Sequence, residues 1–238
     1  MLEIKNYSME YFKGKKVIDG LNLTVKDGDI YAFVGRNGAG KTTTIKSVVG
    51  INHITEGDII LDKISILKDP LEYKNKIAYI PDSPALYESL TGIQYLNFVA
   101  DMYEISEKDR ISRIKEYAKK FELYNELGDV ISSYSHGMKQ KLVLISAFIH
   151  NPRLYILDEP FVGLDPKAAF TLKELLKEKA KEGKMIFFST HVLDVAEKLC
   201  NKIAIIKNGK LIVDGEMEDV IADKSLEEIF MELVVEDE

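Results

Sequence analysis

A glycine-rich segment of the chain reads Gly35-Arg36-Asn37-Gly38-Ala39-Gly40-Lys41-Thr42-Thr43. An apolar run over residues 30–34 precedes it and a helix-compatible run over residues 43–49 follows, so it joins a predicted strand to a predicted helix. Glycines let the backbone curl around an anion, and the start of the helix adds the positive end of its dipole. The pattern predicts a P-loop, and hence a nucleoside triphosphate site.

The side chains of this loop have separate expected tasks. Lys41 should lie along the β- and γ-phosphates, and the Thr42 hydroxyl should bind Mg²⁺. The predicted nucleotide-binding residues of the loop are Gly35, Asn37, Gly38, Ala39, Gly40, Lys41, Thr42 and Thr43.

Composition excludes several classes of protein. The 238 residues carry a net charge of −7, and lysines are interspersed with glutamates, so we expect no broad nucleic-acid-binding face. The single cysteine, Cys200, excludes an internal disulfide and fits a reducing cytosol; we expect a half-buried structural residue there. The apolar run over residues 142–149 is too short to span a bilayer, and no signal peptide is expected, so a partner would have to supply any membrane contact.

Alternating strand and helix patterns predict an α/β fold with a mostly parallel sheet, its site lying at the carboxyl ends of the strands. Hairpin signals at Lys13-Gly14-Lys15-Lys16 and at Asp27-Gly28, which leads into residues 30–34, predict an antiparallel β patch beside that sheet. Further strands are predicted at 2–9, 17–25, 58–61, 77–80, 153–157, 185–189, 203–206 and 211–213, the last two joined by a hairpin.

The division into domains follows from where the strand signal stops. Residues 82–150 contain predicted helices at 91–103, 107–122 and 136–149, which indicates an inserted helical lobe. Residues 1–81 and 151–215 would form the ATP-binding core, with helices near 166–182 and 192–199. Residues 216–238 should form a tail with one amphipathic helix and a frayed end, since Leu226, Ile229, Phe230 and Leu233 follow helical spacing.

Two adjacent carboxylates, Asp158 and Glu159, end an apolar strand. If that strand pairs beside the P-loop strand, Asp158 would reach the Mg²⁺ held by Thr42. Glu159 would then act as general base or orient a water in line with the γ-phosphate. An isolated acidic pair of this kind would more often be a solvated turn, and the P-loop is what favours the catalytic interpretation.

His191 follows another predicted strand, so it should lie at the same edge of the sheet and hydrogen-bond to the γ-phosphate. The other histidines, at positions 53, 136 and 150, have no metal-ligand spacing, and no zinc site is expected. Ser135 is a natural N-cap for the last lobe helix, and Gly137 lets backbone approach an anion there.

These motifs, in this order and at these intervals, resemble the ATP-binding subunit of an ABC transporter. They are Walker A at 35–43, a signature-like stretch at 134–140, Walker B with its glutamate at 154–159, Gly163-Leu164-Asp165, and His191. The resemblance covers the chain from Leu2 to Val213 and implies a P-loop NTPase with a RecA-like core, ATP and Mg²⁺ as cofactors, and ATP hydrolysis coupled to transport.

The resemblance also implies a dimer in which each ATP lies between the P-loop of one copy and the signature of the other. Ser135 and Gly137 would contact the γ-phosphate held by the partner's Lys41, and Asp165 would reach across the interface. Glu159 would be the catalytic carboxylate and His191 the switch histidine. Phe12, with Tyr11 as alternative, would stack on adenine; ordinary packing in the β-sheet is the other interpretation of Phe12.

Four positions, in three motifs, depart from the family pattern. Asp82 stands where a glutamine usually contacts Mg²⁺ or the attacking water, so it could bind the metal through water but adds negative charge. The signature reads Tyr-Ser-His-Gly-Met, so His136 replaces a glycine and Met138 a glutamine. Phe161 follows Glu159-Pro160 where serine or threonine is usual, and this should alter packing and not chemistry.

The implied partners are integral-membrane transporter subunits and a second ATP-binding subunit, identical or a close paralogue. The chain would be cytoplasmic and peripheral on the inner face of the membrane through those subunits, with a groove near Asp82 as contact. Leu86, Tyr87 and Leu90 would line the groove or form the lobe's own core. The chain most resembles subunits of drug, bacitracin or lipid exporters. Two alternatives stay open: an ABC-type ATPase of a soluble repair, translation or iron–sulfur assembly, and a P-loop small-molecule kinase.

Overall fold

Two β-sheets and the helices around them make up the computed structural model, which describes residues 1–12 and 14–235. The strands are β1 (Leu2–Phe12), β2 (Lys15–Val25), β3 (Ile30–Val34), β4 (Glu56–Leu61), β5 (Ile64–Ser65), β6 (Ile77–Ile80), β7 (Leu154–Asp158), β8 (Met185–Thr190), β9 (Lys202–Lys207) and β10 (Lys210–Glu216). The helices are α1 (Lys41–Val48), α2 (Pro70–Asn75), α3 (Gly92–Met102), α4 (Glu107–Lys120), α5 (His136–His150), α6 (Pro166–Lys181), α7 (Leu193–Leu199), α8 (Met217–Ile221) and α9 (Leu226–Phe230).

The larger sheet has the strand order β10-β9-β3-β8-β7-β6 among the described residues. All neighbours in it are parallel except β10, which runs antiparallel to β9. Every residue of β3, β7 and β8 is buried, as expected for apolar strands covered on both faces. The predicted α/β fold with a mostly parallel sheet is confirmed.

The smaller sheet has the order β2-β1-β4-β5, and its neighbours are antiparallel, which confirms the predicted antiparallel patch. The Asp27-Gly28 signal marks a turn, with Gly28 at φ +84°, but the predicted hairpin into β3 is wrong. Strand β3 pairs with β8 and β9, so both of its edges are occupied and β2 stays in the other sheet. Lys13, in the first predicted hairpin, lies outside the described residues.

Helices occupy the predicted lobe section, and local sequence explains where they begin. Thr91 and Gln94 form a capping box at α3, and the hydroxyl of Ser106 accepts from the Asp109 N–H at the start of α4. Within the described residues, no helix combines the length and apolarity that crossing a bilayer requires. The division into core, lobe and tail stays a prediction.

The tail differs from its prediction, because two short helices and a π-helical turn (Met231–Val235) replace one amphipathic helix. Ala222 has φ +42°, which ends α8, and Ser225 restarts the chain as the N-cap of α9. Val234 is buried while Leu233 is 38% exposed, so the helical spacing that predicted Leu233 as a packed position does not hold. Residues 236–238, the predicted frayed end, lie outside the described part of the chain.

Aromatic rings join the lobe to the core. The ring of Phe148 on α5 is fully buried, and its centroid lies 5.3 Å from Tyr155 of β7 and 5.4 Å from Tyr117 of α4. Cys200 is buried, and not half-buried as predicted, and burial raises the pKa of its thiol, as fits a structural residue.

Removing the Phe148 ring should therefore destabilise the whole protein. We expect Phe148→Ala to lower the free energy of unfolding by about 3–5 kcal/mol, from lost burial and the cavity left behind. Phe170→Ala, at a position 67% exposed, is the matched control and should change it by about 0.5 kcal/mol or less. Urea denaturation measures both, and a loss below about 1 kcal/mol for Phe148→Ala would contradict this account of the core.

Candidate active site

The P-loop connects β3 to α1, and its shape depends on glycine at specific positions. Gly38 and Gly40 have φ of +82° and +112°, values that favour glycine. A Cβ on Gly35 would lie 2.6 Å from the Ile206 carbonyl oxygen, so only glycine fits there. No side chain caps the N-terminus of α1, which leaves its first N–H groups available to an anion.

Lys41 lies across this loop with its side chain only 7% exposed. Its ammonium donates to the Gly35 carbonyl oxygen at 2.7 Å, and lies 3.9 Å from Glu159 Oε1. Burial lowers the pKa of Lys41, while the charges of Glu159 and Asp158 act in the opposite direction. The cation is thus held within the predicted phosphate cradle.

Asp158 lies at the end of β7, but β8 separates β7 from β3, so the expected direct pairing with the P-loop strand is wrong. The carboxylate still reaches the loop, because Thr42 Oγ1 lies 3.3 Å from Asp158 Oδ1. Ser189 of β8 donates its hydroxyl to the same oxygen. Burial raises the pKa of Asp158, and the hydrogen bonds from Ser189 and Thr42 oppose this.

The second oxygen, Asp158 Oδ2, is buried and has no hydrogen-bond partner. A buried carboxylate oxygen of this kind is a fitting ligand for a hard divalent cation such as Mg²⁺. Across residues 1–12 and 14–235, no group of three or more His, Cys, Asp or Glu side chains could hold a metal ion. Mg²⁺ keeps several waters and takes phosphate oxygens, so one or two protein ligands are enough to hold it.

Glu159 has an unusual backbone, with φ +49°, which turns the chain at the end of β7. Its N–H donates to the backbone oxygen and the hydroxyl of Ser189, both at 3.2 Å. Its carboxylate is 16% exposed, and Oε2 lies 3.0 Å from His191 Nδ1 and accepts from the His191 N–H at 3.3 Å. Glu159 and His191 thus form one contacting pair beside Lys41.

A cavity of about 300 Å³ brings these side chains together. It is lined by Arg36, Asn37, Gly38, Gly40, Lys41, Thr42, Thr43, Asp82, Glu159 and His191. Six of the eight predicted P-loop residues therefore share one space with the predicted catalytic pair and with Asp82, whereas Gly35 and Ala39 do not line it. The cavity matches a site for a phosphorylated ligand with a metal ion.

The predicted aromatic residues lie near one another at the end of β1. Phe12 is 77% exposed, so its ring is available for stacking. Tyr11 is 52% exposed, and its hydroxyl lies 3.3 Å from Thr43 Oγ1, which ties it to the start of α1.

The signature-like stretch and the loop after Walker B lie elsewhere on the chain. Ser135 is the N-cap of α5, with its hydroxyl accepting from the Met138 N–H at 3.3 Å. Asp165 is the N-cap of α6, accepting from the Ala168 N–H at 2.8 Å. In the described part of the chain, the lining of the P-loop cavity does not include Ser135, Gly137 or Asp165.

The family model described as ABC transporter matches residues 18–162. The chain belongs to the ABC transporter family. An ABC ATPase binds and hydrolyses ATP, and the chain is an ATP-binding subunit of a transporter. The interpretations as a soluble-assembly ATPase or a small-molecule kinase are not favoured.

Relatives of this ABC ATPase are also transporter subunits. "ABC-type transporter ATP-binding protein EcsA" of Bacillus subtilis is 34% identical, with 100% of this chain and 98% of the relative covered. "Bacitracin transport ATP-binding protein BcrA" of Bacillus licheniformis is 38% identical, over 84% of this chain and 65% of the relative.

Two solved structures are similar to this chain in fold. An ATP-binding subunit of an ABC transporter has a TM-score of 0.94 and 36% identity, covering 98% of this chain and 99% of the other. A dimeric post-hydrolysis state of the ATP-binding cassette MJ0796, bound to ADP and Pi, has a TM-score of 0.82 and 25% identity, covering 91% and 99%.

Sequence reasoning gave no role to Ser189, although it contacts both Asp158 and Glu159. The signal that could have identified Ser189 is its position at the end of β8, two residues before His191. It also missed the second cavity, about 360 Å³, where buried Val234 lies beside the P-loop residues Arg36 and Asn37.

Lys41 should be dispensable for stability but not for ATP binding by this ABC ATPase. We expect Lys41→Met to leave the melting temperature without nucleotide equal or higher, because a buried ammonium is costly to desolvate. The rise in melting temperature on adding ATP should disappear. Differential scanning calorimetry measures both, and a large fall without nucleotide would contradict the expectation.

Lys179 supplies the control, because its side chain is also 7% exposed. It is ion-paired with Glu182 at 3.0 Å, away from the P-loop. Lys179→Met should lower the melting temperature and should keep the ATP-induced rise. Burial lowers the pKa of Lys179, but the contacts with Glu182 and Tyr117 outweigh it and raise the pKa overall, whereas burial dominates at Lys41.

Proposed function

We propose that this ABC ATPase drives a transporter by binding Mg-ATP between two copies and separating after hydrolysis. The observation that carries the proposal is the P-loop cavity, whose lining in the described residues holds Lys41, Glu159 and His191 but not Ser135 or Gly137. A second copy would supply that missing side. The dimeric MJ0796 structure supports this arrangement.

Mg²⁺ would be held by Thr42 and by the unpartnered Oδ2 of Asp158, with Asp82 as a candidate ligand through water. When bound, the ion would neutralise phosphate charge. Ser189 donates its hydroxyl to Oδ1 of Asp158 and so fixes the carboxylate, which leaves Oδ2 buried and without a protein partner.

Glu159 is the proposed general base. Its carboxylate would orient the attacking water and accept its proton, and His191 would hold the same carboxylate through Nδ1. His191 is 56% exposed, so its other ring nitrogen can reach a γ-phosphate. Lys41 would exchange its bond with the Gly35 carbonyl for the β- and γ-phosphate oxygens.

The adenine and the γ-phosphate of the nucleotide would be contacted by different copies of the chain. Phe12 would stack on adenine, with Tyr11 as the alternative because it already touches Thr43. Ser135, Gly137 and Asp165 of the partner copy would close over the γ-phosphate. Since only the closed dimer surrounds that phosphate, ATP would shift the population toward closure and its loss would reverse the shift.

Integral-membrane subunits are the proposed partners, which would place the protein at the cytoplasmic face of a membrane. Exposed apolar side chains support a docking surface. Tyr87, Phe98 and Met102 are 60%, 41% and 61% exposed, and they line a cavity of about 260 Å³. Of the other predicted groove residues, Leu86 and Leu90 pack against the core instead.

The similarity to BcrA, a bacitracin transport protein by name, supports an exporter of the drug, bacitracin or lipid type that the sequence resembles. The second copy could be identical or a paralogue. Co-purification from membranes tests the partner, since a hydrophobic subunit would support the transporter and a purely soluble complex would contradict it.

Replacing Glu159 should separate hydrolysis from ATP binding. We expect Glu159→Gln to lower steady-state ATP turnover by roughly two orders of magnitude or more, because the amide cannot accept the proton. ATP binding should persist, and a stable dimer should appear by light scattering. Glu178→Gln, an exposed carboxylate on α6, is the control, and unchanged turnover in Glu159→Gln would overturn the role of Glu159.

Substitution of Asp82 tests whether its carboxylate takes part in ATP hydrolysis. We expect Asp82→Gln, and the isosteric Asp82→Asn, to leave turnover equal or higher, because each removes a negative charge beside the triphosphate. Turnover measured against Mg²⁺ concentration distinguishes the cases. A severe loss in both variants, recovered only by excess Mg²⁺, would mean that Asp82 helps to hold the metal.

A further inference from the structure

The loop Gly163-Leu164-Asp165 lies against the first turn of α5. Gly163 has φ +80°, and a Cβ there would lie 2.8 Å from Cδ2 and 2.9 Å from Nε2 of His136. A Cβ on Gly137 would in turn lie 3.3 Å from the Gly163 carbonyl oxygen. The imidazole of His136 thus covers the backbone of Gly163, and its position depends on the glycine.

The other end of this loop is held by the same helix. Lys141 Nζ lies 2.7 Å from Asp165 Oδ2, and the Lys141 side chain is only 14% exposed. The other carboxylate oxygen of Asp165 caps α6 through the Ala168 N–H. Helix α5 therefore contacts the loop at both of its ends, through His136 and through Lys141.

We infer that His136 and Lys141 are positioning residues that fix the loop Gly163–Asp165 to the start of α5. They would make Ser135, Gly137 and Asp165 one rigid surface presented to the partner's nucleotide. The inference rests on the proposed dimer. It gives a task to His136, the side chain by which this signature departs from the usual glycine.

The ion pair between Lys141 and Asp165 orients the loop more than it stabilises the fold. A partly exposed ion pair adds little to the free energy of unfolding, so Lys141 acts chiefly by fixing where Asp165 points. Ordering a loop before association removes an entropy cost that the dimer would otherwise bear. Two contacts on one short loop should also be coupled, because loosening either end frees the residues between them.

The experiment measures Mg-ATP-dependent dimerisation by sedimentation in a chain carrying Glu159→Gln. We expect His136→Gly and Lys141→Met each to weaken the dimer roughly 5-fold or more, and the double variant by clearly less than the product of the two effects. Lys141→Arg, which keeps the ion pair, should restore dimerisation. ATP binding to the monomer should be unchanged in all variants, because Lys41 and Thr42 are intact.

Lys202→Met is the matched control, because Lys202 is 15% exposed and pairs with Glu216 at 3.0 Å on another part of the fold. It should leave dimerisation unaltered. Asp165→Asn removes the ion pair from the other side while retaining a good N-cap, so it covers the case in which Lys141→Met fails to fold. Because Asp165 would also contact the partner directly, this change should weaken the dimer at least as much as Lys141→Met.

The outcomes separate this inference from the proposed function. A Glu159→Gln chain that stays monomeric with Mg-ATP overturns the dimer, and the inference with it. The second outcome concerns chains in which His136→Gly is combined with Lys141→Met or Asp165→Asn. If such a chain dimerises with undiminished affinity, the inference alone is overturned. Additive effects of the two changes would also overturn it, because independent contacts would not hold one loop.

Discussion

The register of three parallel strands, β3, β8 and β7, is the constraint on which the nucleotide site depends. Val34 pairs with Thr190, and Ser189 with Asp158, so the three strands end together at one edge of the sheet. All three are buried along their length, which fixes the register through packing on both faces. A slip along any of them would carry Asp158 or His191 away from the loop that holds Lys41.

The site contains polar groups that the protein leaves without partners. Asp158 Oδ2 is buried and unpaired, and no side chain caps the first N–H groups of α1. Such groups cost stability in the free protein, and a ligand that satisfies them stabilises the fold by its own binding free energy. The site is therefore built for a ligand that carries both a cation and an anion.

The sequence predicts functional residues best where they lie in short local motifs. The P-loop, the Asp158–Glu159 pair and His191 could be placed because each follows a strand, and parallel strands share an edge. Strand order could not be predicted, since nothing in β7 or β8 says which lies beside β3. Asp27-Gly28 correctly marked a turn, but whether a turn joins paired strands depends on the partners that β3 finds far along the chain.

Other features depended on contacts that no short pattern contains. In the sequence, Ser189 is only the polar end of a strand. In the structure, its hydroxyl contacts both Asp158 and Glu159. The contact of His136 with Gly163 joins residues separated by two elements. Ala222, with its positive φ, ended a helix that hydrophobic spacing predicted would continue. Helical periodicity reports which face is apolar, but not where tertiary packing interrupts it.

Charge explains how the departure at Asp82 fits this site. Asp82 lines the cavity with Glu159, and its charge raises the pKa of Asp158 together with the larger effect of burial. A triphosphate without a metal would meet these carboxylates directly, whereas a metal complex brings positive charge to the side where they lie. In the proposed function, Asp82 would therefore favour the metal complex over free nucleotide without having to contact the metal.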